Sequence, residues 1–272
     1  MFKAFSLRVL FCMTLIAGMA MSFDTIQAKS LDDILKDGVV RIGINPNFPP
    51  SSSRGASGEW EGFDIEVGKK LAEALKVKVE WVPTETKDRV PFLVADTIDL
   101  SLGALTRNSE RAKLIEYTVP LHTEVLAALT TDKVAAEKWQ DLNKAGITLS
   151  NIRSSWVVDW QKENMPNAKQ EIVDTIPDVV RLVAQGRADA IIENIDFFMA
   201  HTKSHPNVKW RVLKEPIFVG YCAIGVAKGN YGLRDVLNIV LFNMHSSNTV
   251  NELWEKAYGA PMLVKVTPNP YF

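Results

Sequence analysis

The sequence predicts an α/β protein of two lobes, each a mostly parallel sheet flanked by helices, with a cleft between the lobes. Strand and helix patterns alternate through residues 31–101, which is typical of parallel strands covered by helices. A second alternation runs through residues 146–192. Residues 92–101 and 182–191 also share a helix end, a tight turn and a strand that opens with aspartate. Short corners of this kind reuse a few residue types, so this likeness is secondary to the alternation.

In the first half of the chain, the apolar spacing changes between the helix and strand periods. Residues 62–75 carry apolar side chains at helical spacing, which predicts a helix, and residues 39–44 predict a buried strand. A proline-rich turn at 45–50 and a Ser/Gly-rich loop to Gly58 lie between them. The remaining predicted elements of this half are a short helix at 31–35 and a strand at 77–82.

The second half repeats this order and then adds a C-terminal part. Ser154 and Ser155 are good residues to open a helix, which is predicted to continue through Trp160. The other predicted elements are strands at 146–150, 172–174, 186–192 and 221–226, and helices at 177–184, 233–244 and 250–258. Two α/β lobes with a cleft between them are a usual setting for a small ligand.

Composition and charge indicate a globular protein without a polyanionic partner. The 272 residues are 47% hydrophobic and 23% charged, which fits one large or two medium domains. The formal net charge is −1, so neither nucleic acid nor an anionic membrane surface is expected as a partner.

The N-terminus predicts export. Lys3 and Arg8 precede an almost wholly apolar run, and a small residue follows at Ala28, as in a secretory signal peptide cleaved there. The apolar run is shorter than the roughly 20 residues that span a bilayer, which disfavours an uncleaved anchor. Cleavage removes Cys12 and leaves Cys222, so no disulfide is expected within the mature chain.

The stretch from Ser101 to Arg111 predicts an anion site. A strand-like run ends in small and hydroxyl residues, and a short helix is predicted to follow, with Ser109 and Glu110 in its first turn. Backbone N–H groups near the helix start, the Thr106 hydroxyl and the Arg111 guanidinium can converge on one carboxylate. The alternative is that Arg111 is a solvated helix charge.

Six motifs in one order, spread over residues 31–259, resemble the polar-amino-acid family of bacterial extracellular solute-binding proteins. They comprise an opening helix and strand, an aromatic-proline loop, a Gly-Phe-Asp helix start, an Asp-led strand, a Thr-x-x-x-x-Arg box and an aromatic-Thr-x-Pro strand. These motifs lie at Asp33–Gly43, Asn47–Pro50, Gly62–Glu66, Asp99, Thr106–Arg111 and Tyr117–Pro120.

The resemblance implies a set of ligand contacts in the first lobe. The Ala104 carbonyl and the Thr106 hydroxyl are expected to meet the ligand, and Arg111 to clamp its carboxylate. Phe48 is expected to pack on the ligand, the alternative for each residue being ordinary loop packing.

The second lobe departs from the family at two places. Ser154 and Ser155 keep the family's hydroxyls, whereas Arg153 stands where the family prefers glycine. Asn194 stands where relatives that bind α-amino acids have an aspartate for the ligand ammonium, so either Asn194 or the preceding Glu193 is expected to meet the ligand nitrogen. Trp156 is expected either as an aromatic wall of the site or as a helix core residue.

The resemblance also implies how such a protein works. The ligand, an amino acid or related small carboxylate, bridges two lobes that close about two crossover strands, and a permease of an ABC transporter reads the closed form. No cofactor, metal or catalytic residue is expected, and the protein is expected to be a periplasmic monomer. The expected divisions are a signal peptide at 1–28, a first lobe at 29–127 and 224–272, a second lobe at 128–223, and crossover strands at 126–130 and 223–226.

An enzyme on the same scaffold is the alternative. Dehydratases that act on cyclohexadienyl acids share this scaffold and need a carboxylic acid in the cleft to protonate a leaving group. Only Glu193 or Asp196 can supply it near the expected position. A hydrolase is disfavoured, because the four histidines are scattered and no Gly-x-Ser-x-Gly motif occurs.

Overall fold

The computed structural model describes residues 29–195 and 201–269. The predicted signal peptide at 1–28 and the candidate acid Asp196 lie outside the described residues. In the part of the chain that the structure describes, no helix is long and apolar enough to cross a membrane.

Strands alternate with helices along most of the described chain. The strands are β1 (Val39–Ile44), β2 (Asn47–Phe48), β3 (Ser52–Arg54), β4 (Trp60–Glu61), β5 (Lys78–Pro83), β6 (Leu100–Ser101), β7 (Ile115–Thr131), β8 (Thr148–Ile152), β9 (Lys169–Val173), β10 (Ala190–Asn194), β11 (Trp210–Val212) and β12 (Phe218–Ala227). The α-helices whose bounds are described are α1 (Leu31–Asp37), α2 (Phe63–Leu75), α3 (Arg89–Val94), α4 (Ser109–Ala112), α5 (Trp156–Asn164), α6 (Ile176–Ala184), α7 (Tyr231–Ser246) and α8 (Thr249–Tyr258).

Two parallel parts of the main sheet are joined by an antiparallel pair. The strand order is β5-β1-β6-β12-β7-β10-β8-β9, with β11 added on β7. Strands β5, β1 and β6 are parallel, as are β10, β8 and β9. Strands β7 and β12 pair antiparallel between them, which makes them the link between the two parts.

The crossover segments predicted at 126–130 and 223–226 lie inside longer strands. Strand β7 has 17 residues and β12 has 10. Strand β7 pairs with β12 and then with β11 along one edge and with β10 along the other, and its pairing with β12 shifts register near Ala223. Sequence periodicity does not reveal the full length of these strands, because a strand buried on both faces lacks the alternation of apolar and polar residues.

A small sheet that the sequence did not predict spans the proline-rich turn, the Ser/Gly-rich loop and the residues just after it. Strands β2, β3 and β4 pair antiparallel there. The Arg54 guanidinium lies 3.8 Å from the centroid of the Trp60 ring, a cation–π contact across the β3–β4 pair. This sheet fixes Phe48, at the end of β2, beside the cleft.

The repeated corner noted in the sequence has the same hydrogen bonds in both parts of the sheet. The Asp99 carboxylate accepts from the Arg41 N–H of β1 at 2.7 Å, and the Asp189 carboxylate accepts from the Thr148 N–H of β8 at 2.7 Å. Their own N–H groups donate to the carbonyls of Arg41 and Thr148. Each aspartate therefore ties the start of one strand to its parallel neighbour.

The two parts have separate cores. A first core contains Ile42 of β1, Phe63 of α2 and Trp254 of α8. Helices α7 and α8 therefore belong with the N-terminal elements, which agrees with the predicted return of the chain to its first lobe. Leu149 and Ile192 belong to one apolar cluster, which is a core of the second part. The numerical boundaries predicted for the lobes stay a prediction.

We expect Asp99→Ala to destabilise the protein more than Asp189→Ala. Asp99 also forms an ion pair with the Arg41 guanidinium at 2.6 Å, and its side chain is fully buried. Breaking such a pair costs about 3–5 kcal/mol, whereas losing one charge-assisted hydrogen bond costs about 1.5–3 kcal/mol. Urea unfolding of both variants measures the two costs. An equal or larger loss for Asp189→Ala contradicts this prediction.

Candidate functional site

A cavity at the junction of the two parts of the sheet brings together most of the predicted site residues. Its free space of about 50 Å³ exceeds the 10–15 Å³ that one water molecule needs, so it has room for a few water-sized groups. Residues from both parts of the chain line this central cavity. They are Phe48, Thr86, Arg89, Gly103, Ala104, Thr106, Arg111, Glu124, Ile152, Ser155, Trp156, Ile176, Val179, Glu193 and Asn194.

Arg111 reaches across the cleft from helix α4. The Asn108 side chain caps this helix and accepts from the Arg111 N–H at 2.8 Å, which fixes the start of the side chain. Its Nη1 donates to the Thr106 carbonyl at 3.1 Å, and its Nη2 donates to the Ser154 carbonyl at 2.8 Å. Arg111 is therefore held by main-chain oxygens of both parts and has no carboxylate partner among the described residues.

Thr106 and Ala104 line the cavity beside Arg111. The Thr106 hydroxyl, predicted to meet the ligand, donates to the Glu124 carboxylate at 2.5 Å. The Ala104 carbonyl, also predicted to meet the ligand, accepts from the Thr106 N–H at 3.0 Å. Both oxygens keep a lone pair for a ligand donor. Their roles as ligand contacts stay predictions.

The two predicted aromatic walls both lie at the cavity. Phe48 also packs against the second part of the chain, in a cluster with Ile176 and Val179. Trp156 is the first residue of α5, and its indole N–H donates to Glu124 Oε1 at 3.4 Å. Trp156 also packs against the second core, as one of its two alternatives predicts, and its role as a ligand contact stays a prediction.

The serine loop before α5 has one residue at the cavity and one beside it. Ser155 lines the cavity and caps α5, its hydroxyl accepting from the Val157 N–H at 3.4 Å. Ser154 is not among the lining residues and contributes its carbonyl to Arg111. Arg153, which replaces the family's glycine, bonds to Asp174 at 2.6 Å, and the left-handed conformation falls on Ser154 at φ 62°. The loop therefore accommodates a side chain at 153.

Glu193 and Asn194 both line the cavity, although successive strand residues point to opposite faces. Asn194 is the last residue of β10, where the strand pattern ends. Burial, and next the charge of Glu124, raise the pKa of Glu193 to about 8. Glu193 therefore carries a proton at pH 7 and is neutral in this environment.

Sequence reasoning missed two charged lining residues, Arg89 and Glu124. Arg89 opens α3 and is buried, with Nε donating to the Thr86 carbonyl at 3.2 Å and Nη1 to the Gly103 carbonyl. Burial, and next the charge of Arg111, lower its pKa to about 10, so it remains charged. Its position in the sequence could have indicated a role, because Arg89 follows the parallel strand β5 and ligands bind beyond the carboxyl ends of such strands.

Glu124 lies on β7 and is 3% exposed. It is the one carboxylate between Glu116 and Asp132, in an otherwise apolar or neutral strand. Burying a carboxylate in such a strand costs free energy unless the carboxylate is paired. An acidic residue in this apolar context could therefore have been recognised from the sequence as a candidate site residue. The cavity is thus lined by two guanidinium groups and two carboxyl groups, those of Glu124 and Glu193.

Known proteins of similar sequence define the class. The chain matches the model of the bacterial extracellular solute-binding proteins, family 3, over residues 40–260. A probable amino-acid ABC transporter-binding protein of Haemophilus influenzae is 25% identical over 256 residues, which cover 93% of this chain and 97% of that protein. Cyclohexadienyl dehydratase of Pseudomonas aeruginosa is 21% identical over 203 residues, 74% of this chain and 75% of that enzyme.

A solved structure agrees with this assignment. The ancestral amino acid-binding protein AncCDT-1, described as a precursor of cyclohexadienyl dehydratase, superposes with a TM-score of 0.76 at 28% identity, over 84% of this chain and 98% of that one. The chain belongs to the bacterial extracellular solute-binding proteins of family 3. The predicted family and the two-lobed α/β fold are thereby confirmed.

We expect Glu193 to lower the stability of the ligand-free protein as the pH rises. A carboxyl with a raised pKa binds its proton more tightly when folded, so its contribution is full below its unfolded pKa of about 4.3 and is lost as pH rises to about 8. Glu193→Gln removes this dependence. Urea unfolding between pH 4 and pH 9 should show that, as the pH rises, the free energy of unfolding of the variant increases relative to that of the wild type. The slope should reach up to about 1.4 kcal/mol per pH unit. A pH-independent difference contradicts the assignment.

Proposed function

We propose that this protein is a periplasmic receptor that binds an amino acid or a related small carboxylate and delivers it to an ABC importer. Membership of the family and the amino-acid relative support the importer role. In this proposal the protein is exported by the predicted signal peptide, acts as a monomer without a cofactor or metal, and has a permease as its partner. It is not an enzyme.

The observation that carries this proposal is the position of Arg111. Its guanidinium lines a cavity small enough for a metabolite and donates to main-chain carbonyls from both parts of the chain. Neither carbonyl neutralises its charge, so a ligand carboxylate gains a charge-assisted, bidentate partner there. A ligand held by residues of both parts favours their approach, because it binds the closed form more tightly than the open one.

A thermal-shift screen of the mature protein against the free amino acids, betaines and small carboxylic acids tests the proposal. A ligand that binds the folded state alone raises its apparent stability by mass action. We expect at least one carboxylate-bearing compound to raise the melting temperature and to give a saturable heat in calorimetry. The absence of any binder among these classes would contradict the proposed ligand class.

Arg111→Ala should weaken binding of the ligand found in that screen by about 2–5 kcal/mol, or roughly thirty-fold to a few thousand-fold. The reason is that the ligand carboxylate stays buried without its partner. Arg181→Ala is a matched control, since Arg181 is exposed on α6 and pairs with Asp178 outside the cavity. Calorimetry on both variants decides the matter. If the folded Arg111→Ala protein loses less than about five-fold in affinity, Arg111 does not bind the ligand carboxylate.

A dehydratase-like enzyme is the second candidate, and the state of Glu193 favours it. A carboxyl group that faces the cavity with its pKa raised to about 8 can protonate a leaving hydroxyl group, which departs as water. One relative is an enzyme that acts on cyclohexadienyl compounds. Incubation of the protein with cyclohexadienyl carboxylic acids, followed by ultraviolet absorbance of an aromatic product, tests this candidate. We expect no turnover; turnover that Glu193→Gln abolishes would establish the enzyme.

A further inference from the structure

We propose that Glu124 on the connecting strand β7 binds the positively charged nitrogen of the ligand, in place of a residue at the end of β10. This inference rests on the proposed receptor function. It moves recognition of the ligand nitrogen from the second lobe to the strand that joins the two lobes.

Glu124 is a buried carboxylate without an ion pair. Its Oε1 accepts from the Thr106 hydroxyl at 2.5 Å and from the Trp156 indole N–H at 3.4 Å, and both donors are neutral. Within residues 29–195 and 201–269, no salt bridge reaches it. A buried carboxylate is normally paired with a cation. The Thr106 and Trp156 hydrogen bonds both end on Oε1, and the Cys222 thiol also bonds to this carboxylate, so every donor that the described residues supply to it is neutral.

The strand opposite leaves room for this carboxylate. Gly220 of β12 pairs with Glu124 in the sheet, so a side chain at position 220 would lie on the same face as that of Glu124. A Cβ at residue 220 would lie 3.0 Å from both Cγ and Oε1 of Glu124 and 3.3 Å from Cγ2 of Thr106. The glycine at this position thus allows Glu124 to turn toward the cavity and to bond to Thr106.

The residues at the end of β10 supply less charge for a cationic nitrogen. Asn194 is neutral, and a neutral acceptor forms a hydrogen bond roughly half as strong as an ionised one. Glu193 holds a proton at pH 7, as its raised pKa shows, and its Oε1 accepts from the Asn194 N–H at 3.2 Å. Glu124 is the other carboxyl group that lines the cavity.

Thr106 places the negative group next to the positive one. Its carbonyl accepts from Arg111 Nη1 at 3.1 Å, while its hydroxyl donates to Glu124 at 2.5 Å. A single residue thus links a guanidinium and a carboxyl group, neither of which has an ion-pair partner among the described residues. This spacing fits a ligand whose cationic nitrogen and carboxylate sit on the same carbon atom, as in an α-amino acid.

The test begins with the wild-type protein and the best-binding free amino acid. Calorimetry compares this amino acid with its analogue in which hydrogen replaces the α-amino group, on the wild type and on Glu124→Gln, Glu193→Gln and Asn194→Ala. Glutamine keeps the size of Glu124 and an oxygen that accepts from Thr106 and Trp156. Glu137→Gln is the matched control, because Glu137 is 79% exposed and lies outside the cavity.

We expect Glu124→Gln to weaken amino-acid binding by at least about thirty-fold and to abolish the preference over the deaminated analogue. The Glu193 and Asn194 variants should lose less, and they should keep that preference. Should Glu124→Gln fail to fold, Glu124→Asp, which keeps the charge but withdraws it by one methylene, should still reduce the preference.

Three results overturn the inference, and they differ from a failure of the receptor function. A loss below about five-fold for Glu124→Gln overturns it, and so does a larger loss for Glu193→Gln or Asn194→Ala. A wild type that binds the deaminated analogue as tightly as the amino acid overturns it as well. In each of these cases the protein still binds a carboxylate. A wild type that binds no amino acid or other small carboxylate instead refutes the proposed function itself.

Discussion

The antiparallel pairing of β7 with β12 is the constraint on which the cavity depends. These strands are the neighbours that join the two parallel parts of the sheet, so they set where the two sets of strand ends face one another. The pairing also places Glu124 opposite Gly220 and brings Thr106 onto Cys222 in an isolated bridge. Local changes in these two strands therefore alter the shape and the charge of the site together.

Charged groups of both signs give the cavity its chemistry. Neither Arg89 nor Arg111 has a carboxylate partner among the described residues, and Glu124 accepts from neutral donors. Such groups are expensive to bury alone, because the protein interior solvates charge poorly. In the proposed function, a zwitterionic ligand neutralises both signs at once, which offsets the cost of leaving these charges unpaired in its absence.

Contacts across the cleft are already made by three different residues. Arg111 donates to Ser154, Trp156 donates to Glu124, and Phe48 packs on a cluster of the second part. The described structure is therefore a closed arrangement of the site. Since the cleft contacts are few and mostly polar, whereas each core is apolar and extensive, separation of the two parts disturbs neither core.

The sequence alone determined the fold class, the order of elements and one wall of the site, because these follow from local rules. Apolar spacing located α2 and β1, and the Thr106–Arg111 box predicted an anion site, both of whose end residues line the cavity. Glu124 and Arg89 were not found, since each is a single charge whose meaning depends on distant neighbours. Only the tertiary structure decided which charges face one another. That depends on the register of the strands and on how the two lobes come together, and no local pattern in the sequence encodes either.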